Sequence, residues 1–128
     1  MAAVQSPIPS LAMVQSFTAA AAIDETGVLV EIDSNNEVKE ATGATAGIIG
    51  IATETCAAGD EVAIWGIFFQ GRAGTGGLSS GDFTTAESGG RLIATTTAGN
   101  SVAGVACPKG GTAAAGDLCR IAALISRY

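Results

Sequence analysis

This sequence contains no histidine, only six lysines and arginines among 128 residues, one tryptophan and one tyrosine. The missing imidazole removes the commonest general base and a frequent metal ligand. Cys56, Cys107 and Cys119 therefore have no partner to activate them as nucleophiles, and three scattered thiols without a CxxC pair make a poor zinc site. Their odd number and low density also argue against a disulfide framework. They are expected to be reduced thiols acting as small buried hydrophobes, in a chain made in a reducing cytosol. The net charge of −6 disfavours nucleic acid and anionic membrane as partners. No Lys or Arg precedes Lys39, and Pro7 and Pro9 break any apolar helix, so no signal peptide is expected. No apolar run reaches the roughly 18 residues that a bilayer span requires.

Motifs that bear on chemistry all fall short. Asp33-Ser34-Asn35-Asn36-Glu37 begins like a calcium loop, but Val38 stands where the loop needs Gly and Ala44 where it needs the closing Glu. Gly71, Gly74, Gly76 and Gly77 are loosely kin to a phosphate-binding loop, yet no Lys-Ser/Thr follows and no helical pattern begins there. A hairpin or interface loop is expected instead. The acid pairs Asp24-Glu25 and Asp60-Glu61 put neighbouring carboxylates on opposite faces of a strand, which suits turns and solubility. The reading is a non-enzymatic protein with no catalytic, cofactor or metal site.

Large hydrophobic side chains are also scarce. Alanine occurs 25 times and Gly 18 times, whereas Leu, Ile, Val and Phe together number 29. Stabilisation scales with apolar area removed from water, and each Gly adds backbone entropy that folding must overcome. A lone copy should be marginal, and association is the simple remedy. Charge is uneven: residues 1–64 sum to −8 and residues 65–128 to +2. That asymmetry fits a solvated acidic face, and it also fits head-to-tail packing between copies.

Along the chain, residues 1–15 read as an extended arm and residues 16–128 as one β-rich body. Pro7-Ile8-Pro9 holds the arm extended, and its uncharged, partly apolar make-up suits lying on a surface. The arm contacts are assigned to Pro7, Ile8, Pro9, Leu11, Met13 and, just beyond, Phe17. Short strands punctuated by Gly and polar turns follow at 28–32, 37–41, 48–52, 61–69, 83–85, 91–95, 101–106 and 118–125. No segment keeps a 3.6 period over three turns, so a small barrel or sandwich is expected. Residues 61–69 form the most hydrophobic stretch, with apolar side chains on both faces, and Trp65, Phe68 and Phe69 are its candidates for a subunit interface. Ile49-Gly50-Ile51-Ala52 followed by Ala57-Ala58-Gly59-Asp60 recurs as Ala103-Gly104-Val105-Ala106 followed by Ala114-Ala115-Gly116-Asp117. Duplication explains this, as do two similar turns in one β-fold.

The segments 97–106 and 113–121, with 47–52, 57–62 and 80–86 before them, are similar in order and spacing to the head decoration, or cement, proteins of tailed bacteriophages. The likeness runs over about residues 24–125. It implies a mainly β, compact barrel- or tulip-like body with an extended N-terminal arm. It also implies a homotrimer on the exterior of the capsid, made in the host cytoplasm, with its arm along the major capsid protein. A β-rich fibre or adhesin module is an alternative. A lipoyl- or biotinyl-type carrier domain is a weaker one, since neither Lys39 nor Lys109 has the required setting.

Overall fold

Branched side chains pack well on a pleated surface, and Gly or Asp-Asn turns interrupt them, so local sequence dictates short strands. The computed structural model describes residues 14–128. It contains twelve strands: β1 (Val14–Thr18), β2 (Val28–Ile32), β3 (Val38–Glu40), β4 (Ile48–Ala52), β5 (Glu61–Trp65), β6 (Gln70–Arg72), β7 (Leu78–Ser79), β8 (Phe83–Ala86), β9 (Leu92–Ala94), β10 (Ser101–Ala106), β11 (Thr112–Ala113) and β12 (Leu118–Arg127). The mainly β body holds. The expected strand over residues 61–69 does not run that far: it ends at Trp65, and the chain bends through Gly66 and Ile67 before β6. The glycine-rich segment from Gly71 is not a free loop at its start, since Gly71 is buried within β6.

Ten strands form two antiparallel sheets, ordered β1-β5-β4-β2-β3 and β6-β12-β10-β8-β9, while β7 and β11 make a small separate pair. The body is not one closed barrel. The edges of each sheet nevertheless touch through a single parallel bridge, Ala19 to Val38 in the first and Ala73 to Leu92 in the second. A five-stranded sheet whose outer strands meet must curl, so each sheet forms a cup.

The two cups are copies of one unit. With β7 and β11 set aside, the strand order is the same in both. A shift of 54 positions carries the bridge Ala19–Val38 onto Ala73–Leu92. The same shift carries the donation from Gly27 N–H to the Ala52 carbonyl onto that from Gly81 to Ala106, both 2.8 Å. After a longer connection the shift becomes 57: Ala19 donates to Asp60 and Ala73 to Asp117, again both 2.8 Å. Gly59 and Gly116 close the equivalent turns at φ 89 and 91°, a left-handed conformation that favours glycine. The recurrence in the sequence is thus a duplication, with its first repeat near residues 14–67 and its second over the remainder.

Inside the first cup, Val28, Val30, Val38, Val62 and Ile64 surround Ile23. The second cup encloses Leu92, Cys119 and Ile121 with several alanines, and it also takes in Leu29, Ala41, Ile48 and Ile51 from the first repeat. Successive residues of a strand face opposite ways. Val28 and Val30 therefore fill their own cup while Leu29, on the outer face, seals its neighbour. Full burial of Leu29 and of Ile51 contributes about 2 kcal/mol each.

Candidate docking surface

β1 is an edge strand held only by β5, with Val14 opposite Trp65 and Thr18 opposite Glu61. Side chains reinforce that pairing. Thr18 Oγ1 and Ser16 Oγ donate to the Glu61 carboxylate at 2.7 and 3.0 Å, and these bonds, Thr18 first, hold the carboxyl below its ordinary value. The start of β1 is thereby fixed beside the end of β5, where the chain leaves the first repeat.

That crossing exposes apolar surface. Phe68 is 5% exposed and anchored in the core of the second cup, which turns its neighbours outward. Trp65 is 41% exposed, Ile67 43% and Phe69 80%. With Val14, Thr53, Gln70 and Arg120 they line an open groove of about 620 Å³. This contiguous apolar exposure, built on aromatics, makes the crossing the candidate docking surface among the described residues.

The two repeats are also joined by an ion pair and a guanidinium clamp. Arg91 donates from Nε and Nη2 to Glu25 at 2.7 and 2.6 Å, a bidentate pair between repeats. That hydrogen bond, aided by the charges of Arg91 and Arg72, holds the Glu25 carboxyl below its ordinary value against the opposing effect of desolvation. Arg72 donates to the carbonyls of Thr26 and Gly116, each at 2.8 Å, so one side chain ties both repeats. The three cysteines are unpaired; Cys119 is buried, and desolvation pushes its thiol up.

Of the residues singled out in the sequence, Pro7, Ile8, Pro9, Leu11 and Met13 lie outside the described residues. Phe17 is on β1, half-buried and packed against the first core. Trp65, Phe68 and Phe69 all come together at the groove, Phe68 as a buried residue that also packs in the core of the second cup. Ile67 and Val14 were not anticipated. The break at Gly66, which ends the alternation of β5, was the available signal for Ile67; nothing local marked Val14.

No protein-family model matches this sequence, and a search of the curated proteins finds no match. Among solved structures the chain is similar to the N base of the head fiber gp8.5 of bacteriophage phi29. The TM-score is 0.66 at 18% sequence identity, covering 90% of this chain and 96% of that one. The likeness is one of fold. The motif resemblance to phage head proteins thus has a structural counterpart in a protein of a phage head.

Proposed function

We propose that this protein is a non-enzymatic structural component of a phage virion that binds the outer surface of the capsid as a homotrimer and reinforces the head. The observation that carries this reading is the fold shared with a phage head fiber base over nine-tenths of the chain. The groove supplies the physical means. Its apolar lining includes Val14, the first residue of β1, and offers a docking surface for the major capsid protein beside the point where the N-terminal segment joins the body. An extended arm can add itself to an exposed strand edge of a capsid subunit, and the exposed aromatic rings of Trp65 and Phe69 bury on contact. Trp65 and Phe69 are assigned here to the capsid side because of that adjacency, in preference to contacts between copies. A fibre module is the second reading, favoured by the neighbour's being part of a head fiber.

The test uses purified particles lacking the protein. Deleting residues 2–13, or introducing Phe69→Asp, should leave the circular dichroism spectrum of the body intact while abolishing decoration seen by electron microscopy. Full occupancy with both variants would show that neither arm nor groove binds the capsid.

A further inference from the structure

We propose that copies of this chain join head to tail through the two surfaces equivalent to those that unite the two repeats within one chain, with bulkier side chains at the contact. Inside the molecule that joint has two halves. One is the outer face of the first repeat, where Leu29 and Ile51 stand opposite each other on β2 and β4. The other is the opening of the second cup, where Gly71, Ala86, Gly90 and Ala103 leave room for them. The Leu29 N–H donates to the Gly90 carbonyl at 2.7 Å, and the Ile51 side chain reaches Gly71.

Because the repeats are related by a shift of 54, each half of the joint has an unused counterpart. Leu29 and Ile51 map onto Phe83 and Val105, which also stand opposite each other, on β8 and β10. Phe83 is 43% exposed, with the Tyr128 ring against it edge to face at a centroid distance of 5.6 Å. Gly71, Ala86, Gly90 and Ala103 map onto Phe17, Ile32, Asn36 and Ile49. Those four line an open groove of about 360 Å³ at the mouth of the first cup. One joint is made, and its two complementary surfaces are left over on different repeats.

Three further observations select a second copy as the occupant. The missing partner of each surface is a surface the chain itself carries. Asn36, at φ 64°, keeps the left-handed turn that Gly90 holds at 85°, but a Cβ at the Gly90 position would meet the Leu29 carbonyl, so the Phe83 backbone of the next chain sits farther out than Leu29 does. The half bearing the open mouth carries a charge of −8 and the half bearing Phe83 carries +2, which draws unlike ends together. Side-chain size sets the depth of the contact. Phe17 stands where Gly71 does and Ile51 maps onto Val105, so the incoming Val105 packs against Phe17 at the mouth while the Phe83 ring lies over Asn36. Every added copy again leaves one surface of each kind unused, so association ends only when a ring closes. The proposal rests on the functional reading above for its copy number alone: three chains place six repeats in the ring.

Sedimentation velocity on the full chain tests this together with Phe83→Asp, a change at an exposed ring that leaves the cups intact. The variant should weaken the trimer at least tenfold with an unchanged circular dichroism spectrum. Phe69→Asp, on the groove assigned to the capsid, should leave the trimer unaffected. A photoreactive amino acid at position 83 should cross-link to a second chain within residues 17–49, mapped by mass spectrometry of isotopically mixed chains. A trimer that survives Phe83→Asp, or a cross-link to residues 1–13 or within the same chain, overturns the joint alone. A chain that stays monomeric at every concentration overturns both the joint and the trimer.

Discussion

At the scale of single residues, the duplication is most exact at two glycines. A Cβ on Gly50 would collide with the carbonyl oxygen of Trp65, and one on Gly104 with that of Ala122, which is the equivalent position. In each repeat the fourth strand passes so close to the fifth that no side chain fits between them. Gly50→Ala and Gly104→Ala should each destabilise the protein by about 1–3 kcal/mol, the usual cost of forcing extra atoms into a packed site. Urea titration checks this; a loss below about 0.5 kcal/mol for either would mean that the strand can shift aside. The recurrent Gly-x-Ala was visible in the sequence, but its reason was not, because the colliding carbonyl lies 15 or 18 residues further along.

At the scale of elements, most strands between turns were readable, but β1, which begins within residues read as arm, and the short β6, β7 and β11 were not. β2, β4 and β10 coincide with the runs 28–32, 48–52 and 101–106. β6, β7 and β11 have two or three residues each, too few for a period of two to show. β6 owes its place to long-range bonds, and Arg72 supplies several of them from its guanidinium. Lysine keeps the charge but lacks the planar fork that reaches Thr26 and Gly116 together. Arg72→Lys should therefore cost roughly 1–3 kcal/mol, since hydrogen bonds from charged groups are among the stronger ones. It should also raise amide exchange at residues 25–27 and 70–72. Thermal unfolding with hydrogen-exchange mass spectrometry reads both, and wild-type exchange in those segments would show that the ion clamp is dispensable.

At the scale of the molecule, the repeats share a core and are expected to fold as one. The second cup without the first loses Leu29, Ile48 and Ile51, which forfeits roughly 5–9 kcal/mol of burial. That is comparable to the whole stability of an ordinary domain. Residues 68–128 expressed alone should show no cooperative thermal transition, whereas the complete chain should melt once, with equal calorimetric and van't Hoff enthalpies. A folded second repeat in isolation, or two separate transitions, would show that the joint is ornamental to stability. The same dependence bears on association. A surface that is covered in one repeat is left exposed in the other at Phe83, with Val105 partly buried beside it.

The sequence by itself determined the class of fold. Gly-Asp turns, short branched runs and the lack of any helical period specify a mainly β body, because those are local properties of backbone and side chain. The absence of histidine and the scatter of cysteines were equally legible, because composition needs no fold to be read. It also carried the duplication as one of two explanations, through Gly50 and Gly104 and their following turns. Only the tertiary structure chose between them, since strand order and bridges such as Ala19–Val38 and Ala73–Leu92 join residues far apart in the chain. It alone decided that Phe68 is core while Trp65 and Phe69 are surface, and that Leu29 serves a neighbouring cup. The physical reason is the same in each case. A strand has two faces, alternation tells them apart, and only packing decides what each one meets.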